Sequence, residues 1–548
     1  MSASDKKKLR KENEFAALTE KQQAQQKKDN QLKNETTIFV VVMALVIAIA
    51  VTSMGVSWYN TSGIPARGTV ALTVGNAELS NADLNYYYMD TINNFYGDVY
   101  DQYGEYASMY VSLYMGLDLS KPLSSQTYNE ATGDTWADYF IDSAISSATS
   151  TYALYNAAMS NGDYKLPEDF ETELNAALAS TKAMAGYYGF DSMEAYLKAM
   201  YGNGANEETY VNYYRVNAIA EAYYVEYYNG LEYTKDQIDA YNNEHYNDFS
   251  SFEYSYYYVP VSKYLPTTTD GVEITAEQRA DAVAAAKAAA DGIALCSNLE
   301  VFNRLIQQLP FATESTAAEE IDNTTIGSVA TLYSEWIGDR ARVAGETSVF
   351  EYESTSDKDE DVDGYYVVLF EGRKDYNTLL RSARHILVAF EGGTKDANGN
   401  ITYSQAEKDK AKDEADKLYN EWLNGGDLSS EAFAAKVTNK TSDDTGSNTT
   451  GGLYENIYQG QMVTNFDKWV FDGARVPGDH GVIETEYGYH IMFYVGEQEN
   501  TYREYMIEMK LCSLAVEEWY NGLVDNVTAT EGDTSYINKA IIVGATVG

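Results

Sequence analysis

The segment Trp336–Glu351 aligns without gaps on Trp469–Glu484, and eight of the sixteen positions are identical. The identities are Trp336/Trp469, Asp339/Asp472, Ala341/Ala474, Arg342/Arg475, Val343/Val476, Gly345/Gly478, Val349/Val482 and Glu351/Glu484. Such self-similarity means that one domain type occurs twice, at about 248–375 and 380–497. Gly364-Tyr365-Tyr366-Val367 in the first copy then matches Gly488-Tyr489-His490-Ile491 in the second. Upstream, Tyr256-Tyr257-Tyr258-Val259 stands for His385-Ile386-Leu387-Val388. Tyrosine therefore replaces both histidines in the first copy.

The chain has only four histidines, and His385 and His490 each fall inside a buried-strand pattern. A histidine in such a place needs a hydrogen-bond partner. The cheapest partner for each is the other, if their strands lie side by side. The other two read differently: His480 as an exposed loop residue, His245 as a surface helix residue.

The second copy reads as a small α+β domain. A strand over 381–390 leads to a polar loop, 391–403. Ser404 and Glu407 form a capping box opening a helix that stops at Gly425-Gly426. A short helix over 430–437, a polar loop over 439–452 and a helix over 464–471 follow. Strands 481–485 and 489–495 close the domain.

Charge is lopsided. Residues 1–36 hold nine Lys/Arg against six Asp/Glu, and the remainder holds 30 against 77. So acidic a body repels nucleic acid and excludes it as a partner. Glu35 and Arg67 bracket a stretch without charge, and Thr37–Val56 is a near-continuous apolar run. Twenty residues at ~1.5 Å each span the ~30 Å hydrocarbon core. The basic flank predicts a cytoplasmic tail (1–36), a transmembrane anchor (37–58) and everything else outside the cell membrane. A cleaved signal fits less well: Ala48-Ile49-Ala50 lies inside the run, not after it. The two cysteines, Cys296 and Cys512, read as buried thiols in helices, with one long-range disulfide as the alternative.

Residues 59–75 read as a linker ending in a strand-like Thr69–Val74. Residues 76–240 read as Ala-, Tyr- and Met-rich helices within a domain at 59–247 that the tail 498–548 completes. Runs such as Tyr86-Tyr87-Tyr88 suit core packing, or an exposed cradle for unfolded chain.

Arg384-His385-Ile386-Leu387-Val388, Ser442-Asp443-Asp444, Gly451-Gly452, Gly460-Gln461-Met462-Val463, Phe466, Phe471 and Gly488-Tyr489-His490-Ile491 together resemble the parvulin-type peptidyl-prolyl isomerases. The match covers about 380–497; the first copy is a degenerate relative. The flanking helices resemble those of the PrsA- and SurA-type extracytoplasmic foldases. The resemblance implies roles. His385 and His490 form a histidine pair with Thr485 bonding into it. Asp444 falls where the family places a Cys or Asp beside the reacting carbonyl. Met462 and Phe466 form the shelf for the proline ring. Where the family has Gly-Gly-Asp-Leu-Gly, this chain has Gly451-Gly452-Leu453-Tyr454-Glu455. Tyr454 thus replaces a leucine of the proline pocket, and Ile457 replaces an aromatic residue.

The implied activity is peptidyl-prolyl isomerisation coupled to folding of exported proteins. The alternative is a holdase or assembly tether that only clasps polypeptide. The partners are unfolded or newly exported polypeptides with Xaa-Pro bonds and, through the anchor, the membrane; a second copy is left open. No cofactor is called for. A calcium loop over Asp396–Glu407 lacks the glycine it needs at Ile401, so no metal is assigned. The loop after His385 has no Arg/Lys cluster that would read a phosphate.

Overall fold

The computed structural model describes residues 62–543 apart from 163, 268–272, 354–361 and 397–398. The basic tail and the anchor at 37–58 lie outside the described residues, as does Asn398 of the calcium-like loop. Among the described residues no helix is long and apolar enough to cross a membrane. The described chain forms two compact units, 62–232 with the residues from Leu511 on, and 233–510.

The first unit is mainly helical. After a short helical turn, Ile64–Gly68, come strands β1 (Val70–Val74) and β2 (Ala77–Ser80) and helices α1 (Asn81–Tyr103), α2 (Ala107–Tyr114) and α3 (Trp136–Ser160). Helices α4 (Phe170–Tyr187), α5 (Met193–Tyr201) and α6 (Glu207–Asn229) follow. Capping boxes at Ser80/Asp83, Thr135/Asp138 and Asn206/Thr209 start α1, α3 and α6. The strand expected at the end of the linker is present, and it is the centre of a sheet. Strand β1 pairs with β2 on one side and with the C-terminal strand Ala529–Glu531 on the other, which buries Ala71, Leu72 and Val74 completely. Tyr86, Tyr87 and Tyr88 are all core residues. Three successive helical residues point in different directions, so α1 must be covered all round. Tyr86 stacks on Tyr213 of α6 at 4.8 Å, whereas Tyr88 packs into the α1–α3 core. Exposed apolar groups gather on α2, where Met109, Leu113 and Tyr114 are 52%, 69% and 75% exposed.

The second unit contains two four-stranded antiparallel sheets of identical plan. Helix α7 (Lys235–Glu244) precedes strand β3 (Ser251–Pro260), helices α8 (Ala276–Ile293) and α9 (Leu299–Ile306), strand β4 (Glu319–Thr324), helix α10 (Thr331–Gly338) and strands β5 (Thr347–Glu353) and β6 (Val362–Lys374). The second set is β7 (Leu379–Ala389), α11 (Gln405–Asn424), α12 (Ser430–Ala434), β8 (Leu453–Ile457), α13 (Thr464–Val470), β9 (His480–Glu484) and β10 (Gly488–Thr501). The strand orders are β4-β3-β6-β5 and β8-β7-β10-β9. The predicted capping box is present, Ser404 and Glu407 bonding reciprocally at the start of α11. Glu407 also accepts from the Gly393 amide at 2.9 Å, so both its oxygens are engaged. The loop read as 391–403 holds a two-stranded hairpin, Thr394–Lys395 with Ile401–Thr402.

Each sheet is covered on both faces, and the period-2 alternation of its strands sorts the side chains. In β10, Tyr489, Ile491 and Phe493 pack with Ala411, Ala415 and Trp422 of α11. Met492 and Tyr494 pack with Phe466 and Val470 of α13. His490 takes the α13 face by the same alternation.

The repeated sequence is a repeated turn. The guanidinium of Arg342 lies 4.1 Å over Trp336, and that of Arg475 lies 4.0 Å over Trp469. Each donates through Nε to the carbonyl of its tryptophan, at 3.1 and 3.0 Å. Asp339 and Asp472 accept the amides of Ala341 and Ala474 at 2.9 and 3.0 Å.

One buried cation ties together the segments that flank the two sheets. A single helix, α14 (Tyr502–Asp525), follows β10 directly. Its Arg503 is 3% exposed and donates to Asn242 Oδ1 (2.7 Å), Phe249 O (2.8 Å), Ser250 Oγ (3.0 Å), the Asp375 carbonyl (3.4 Å) and the Tyr246 carbonyl. The guanidinium also stacks 3.9 Å over the Tyr246 ring. The chain's entry to the first sheet, its passage between sheets and its exit are thus tied together. Arg503→Met should cost about 3 kcal/mol by leaving these acceptors without a donor. Hydrogen exchange should then show lost protection over 242–250, and unchanged protection there would refute the assignment.

Candidate active site

Strands β7 and β10 pair so that His385 lies opposite Met492 and His490 opposite Leu387. The two histidines are therefore diagonal neighbours on one face. Their Nδ1 atoms are 3.0 Å apart, and the rings are 2% and 5% exposed. The backbone is fixed where they sit. Gly452 (φ +71°) accepts the His385 amide at 2.9 Å, and a Cβ on it would stand 2.3 Å from the His385 carbonyl oxygen. A Cβ on Gly488 would stand 2.1 Å from the Val388 carbonyl oxygen.

Asp444 reaches the pair from a loop stitched to β7. Ser442 Oγ accepts the Leu387 amide (3.2 Å), the Asp443 amide bonds to the Leu387 carbonyl (2.8 Å), and the Asp443 carboxylate accepts the Ala389 amide (2.8 Å). Asp444 then follows with Oδ2 at 2.9 Å from His385 Nε2. At the other end, Thr485 Oγ1 is 2.8 Å from His490 Nε2. The Tyr487 amide donates to the same Oγ1 at 3.2 Å.

Burial pushes the His490 imidazole down to about 3, the neighbouring His385 adding to this and Asp444 opposing it. His490 is therefore neutral at physiological pH. Burial alone would raise the Asp444 carboxyl. Hydrogen bonds from His385, Ser447 and Tyr454, with the field of His385, outweigh burial and hold it well below the usual carboxylate range. With Asp444 ionised and His490 neutral, one proton order gives every contact a donor without a further proton on the pair. Thr485 O–H donates to His490 Nε2, His490 Nδ1–H to His385 Nδ1, and His385 Nε2–H to Asp444.

The shelf residues meet over this floor. Phe466, 2% exposed, sets its ring edge-on to both histidines at 5.6 Å. Tyr454 stacks on His385 at 4.8 Å. Met462 and Tyr454 pack on the cluster holding Phe466 and the fully buried Ile457. All eight site residues expected from the sequence are thus in one place.

Other expectations change. His480 is no exposed loop residue: it starts β9, with Nδ1 2.7 Å from the Tyr419 hydroxyl and its ring edge-on to Trp422 at 4.9 Å. Its solvent-like flanks, Gly478-Asp479 and Gly481, hid this. His245 caps the end of α7 beside Asp248 at 3.1 Å. Both cysteines are buried thiols, but Cys296 lies beyond the end of α8, and burial raises its thiol to about 11. Ser447, fully buried with Oγ 2.6 Å from Asp444 Oδ2, carried no motif signal in its Thr/Ser/Asn-rich loop.

In the first copy the register places Tyr256 opposite Val368 and Tyr366 opposite Tyr258, the positions of His385 and His490. Their rings are 5.9 Å apart, and the fully packed Tyr333 lies 6.3 and 6.1 Å from them. Aromatic rings fill the place of the histidine pair.

Residues 365–498 match the family model described as the PPIC-type PPIASE domain. No curated protein matches the chain. PrsA of Bacillus anthracis is similar at 17% identity over 28% of this chain and 59% of that one, with a TM-score of 0.16. A structure of SurA-like chaperones of Campylobacter jejuni shows 21% identity over 27% and 51%, TM-score 0.16. PrsA of Bacillus subtilis shows 13% over 73% and 91%, TM-score 0.28. The chain spans little more than half the length of the first two, and superpositions at these scores carry no argument. The family model carries it, and the residues it matches include both histidines of the pair. Residues 365–498 are therefore a parvulin-type peptidyl-prolyl isomerase domain of the PPIC kind.

Proposed function

We propose that the protein accelerates cis/trans exchange of Xaa-Pro bonds in exported polypeptides, and that its helical unit holds those polypeptides while they fold. The observation that carries the catalytic part is the 3.0 Å histidine pair between Asp444 and Thr485, beneath Phe466 and Tyr454. Rotation about the prolyl bond has a barrier of ~18–20 kcal/mol and breaks no covalent bond. It removes amide resonance, so charge leaves the carbonyl oxygen and returns to nitrogen. A water-poor shelf that grips the ring, beside an ionised carboxylate that disfavours negative charge on the carbonyl, favours the twisted state. Exchange spectroscopy on an Xaa-Pro peptide tests this: the full chain should raise the exchange rate at substoichiometric concentration.

A second reading, a holdase or tether without catalysis, draws on Tyr454, whose hydroxyl bonds to Asp444 at 2.7 Å inside the site. An unchanged exchange rate would favour it.

The site of action follows from the charge asymmetry around 37–58. The protein is a single-pass membrane protein with its C-terminal domains outside. Protease added to intact cells should remove those domains and spare the first 36 residues. A mature N-terminus near residue 51 would mean a cleaved signal instead.

A further inference from the structure

The Asp444 carboxylate is held from several sides. Its Oδ2 accepts from His385 Nε2 at 2.9 Å, Ser447 Oγ at 2.6 Å and the Tyr454 hydroxyl at 2.7 Å. Its Oδ1 accepts the Gly446 amide at 3.2 Å. These donors come from β7, from β8 and from the loop between α12 and β8. Tyr454 is on β8 and pairs with Ala383 of β7. Ser447 is pinned by its own carbonyl, which accepts the amides of Gly452 (2.8 Å) and Thr450 (3.1 Å). Gly452 in turn accepts the His385 amide. Ser447 and His385 are thus held by the same residue.

We propose that Tyr454 and Ser447 are positioning residues that act through Asp444: their hydroxyls keep it an anion, and the anion fixes which nitrogens of His385 and His490 carry protons. The proposal rests on the isomerase reading of this site and goes beyond it, because the sequence put Tyr454 only in the pocket wall and assigned Ser447 nothing.

The logic is one of donor counting. Three donors on one carboxylate oxygen leave no place for a proton there, so His385 Nε2 must donate. With no further proton on the pair, His385 Nδ1 then accepts from His490, and His490 Nε2 accepts from Thr485. Tyr454 stays a donor because burial first, and then Asp444 itself, raise its hydroxyl far above the ordinary tyrosine range. The titratable groups facing Asp444 are His385 from β7, with His490 of β10 behind it, and Tyr454 from β8. Asp443 is adjacent in sequence, but its carboxylate turns to the Ala389 amide. A phenylalanine or leucine at 454 could fill the same wall and could not hold the anion.

The test uses the full chain labelled with nitrogen-15 in its four histidines, with Tyr454→Phe, Ser447→Ala and the double variant. In the wild type, the imidazole nitrogen shifts should show a proton on His385 Nε2 and His490 Nδ1 throughout neutral and mildly acidic pH. In the double variant that pattern should collapse about one pH unit higher. The acid limb of kcat/KM for Xaa-Pro exchange should move up by the same amount. The neutral plateau should fall as well, since Tyr454 is part of the pocket wall, so the position of the limb and not the height of the plateau is the readout. Ser447→Thr, which keeps a hydroxyl, should restore the wild-type limb. Unchanged nitrogen shifts and an unchanged limb in a folded double variant would overturn the proposal. If the shifts respond as expected but no form of the chain catalyses exchange, the proposal stands and the isomerase reading falls.

Discussion

A chain carrying both His385→Ala and His490→Ala should lose catalysed Xaa-Pro exchange altogether, returning to an uncatalysed time of tens of seconds, while still suppressing aggregation of an unfolded client. The two rings are the floor on which Phe466 and Tyr454 rest, at 5.6 and 4.8 Å from His385. Removing both opens a cavity and leaves Asp444 and Thr485 without their imidazole partners. Client holding should survive because the helical unit keeps exposed apolar groups of its own. Met109, Leu113 and Tyr114 stand out on α2, and from Gly68 to Ser120 the chain has no Lys or Arg. Such a surface offers adaptable contact to apolar, basic segments. Serine at those three α2 positions should do the reverse, weakening aggregation suppression and sparing exchange. A folded double-histidine variant that lost both activities would make the isomerase site the main client-binding surface.

The second large effect is acid sensitivity. The folded His490 imidazole sits at about 3 against 6.5 ordinarily, and the folded Asp444 carboxyl is likewise depressed. Between those values the unfolded chain binds a proton that the folded chain does not, so stability falls as pH falls. His490 should contribute a loss of about 1.4 kcal/mol per pH unit from about pH 6.5 downward. Asp444 should add a second loss below about pH 4. Protection of β7 and β10 amides against hydrogen exchange, corrected for intrinsic rates, should decline along that slope. His490→Leu should flatten it above pH 4. Protection that rises on acidification in the wild type would contradict the assignment.

Much of the second sheet was legible because local and tertiary signals agree there. The Ser404–Glu407 box, the alternation through Gly488–Tyr494 and the two lone histidines each point to one answer. The repeat even fixed which tyrosines take the histidine places, since a gapless alignment becomes strand register once the sheets form. What stayed hidden depends on partners remote in sequence. The strand at Val70–Val74 was legible, but its central place in a sheet was not, because its second neighbour, Ala529–Glu531, is remote in sequence. Tyr86-Tyr87-Tyr88 could have been cradle or core until α1 acquired neighbours on every side. Ser447 and His480 sit among turn-forming residues, and only the fold turns them inward.

The pairing of β1 with the C-terminal strand sets an order of events. Leu72 meets Glu531, so the helical unit cannot close its sheet until residue 531 has been made and moved. Both repeated sheets are complete by then, because neither needs anything beyond α14. Until Ala529–Glu531 arrive, β1 has one edge bare and its apolar residues partly uncovered. A chain emerging N-terminus first thus spends its biogenesis as a client-like molecule, and one cut short near residue 525 would keep every catalytic side chain yet remain unfinished.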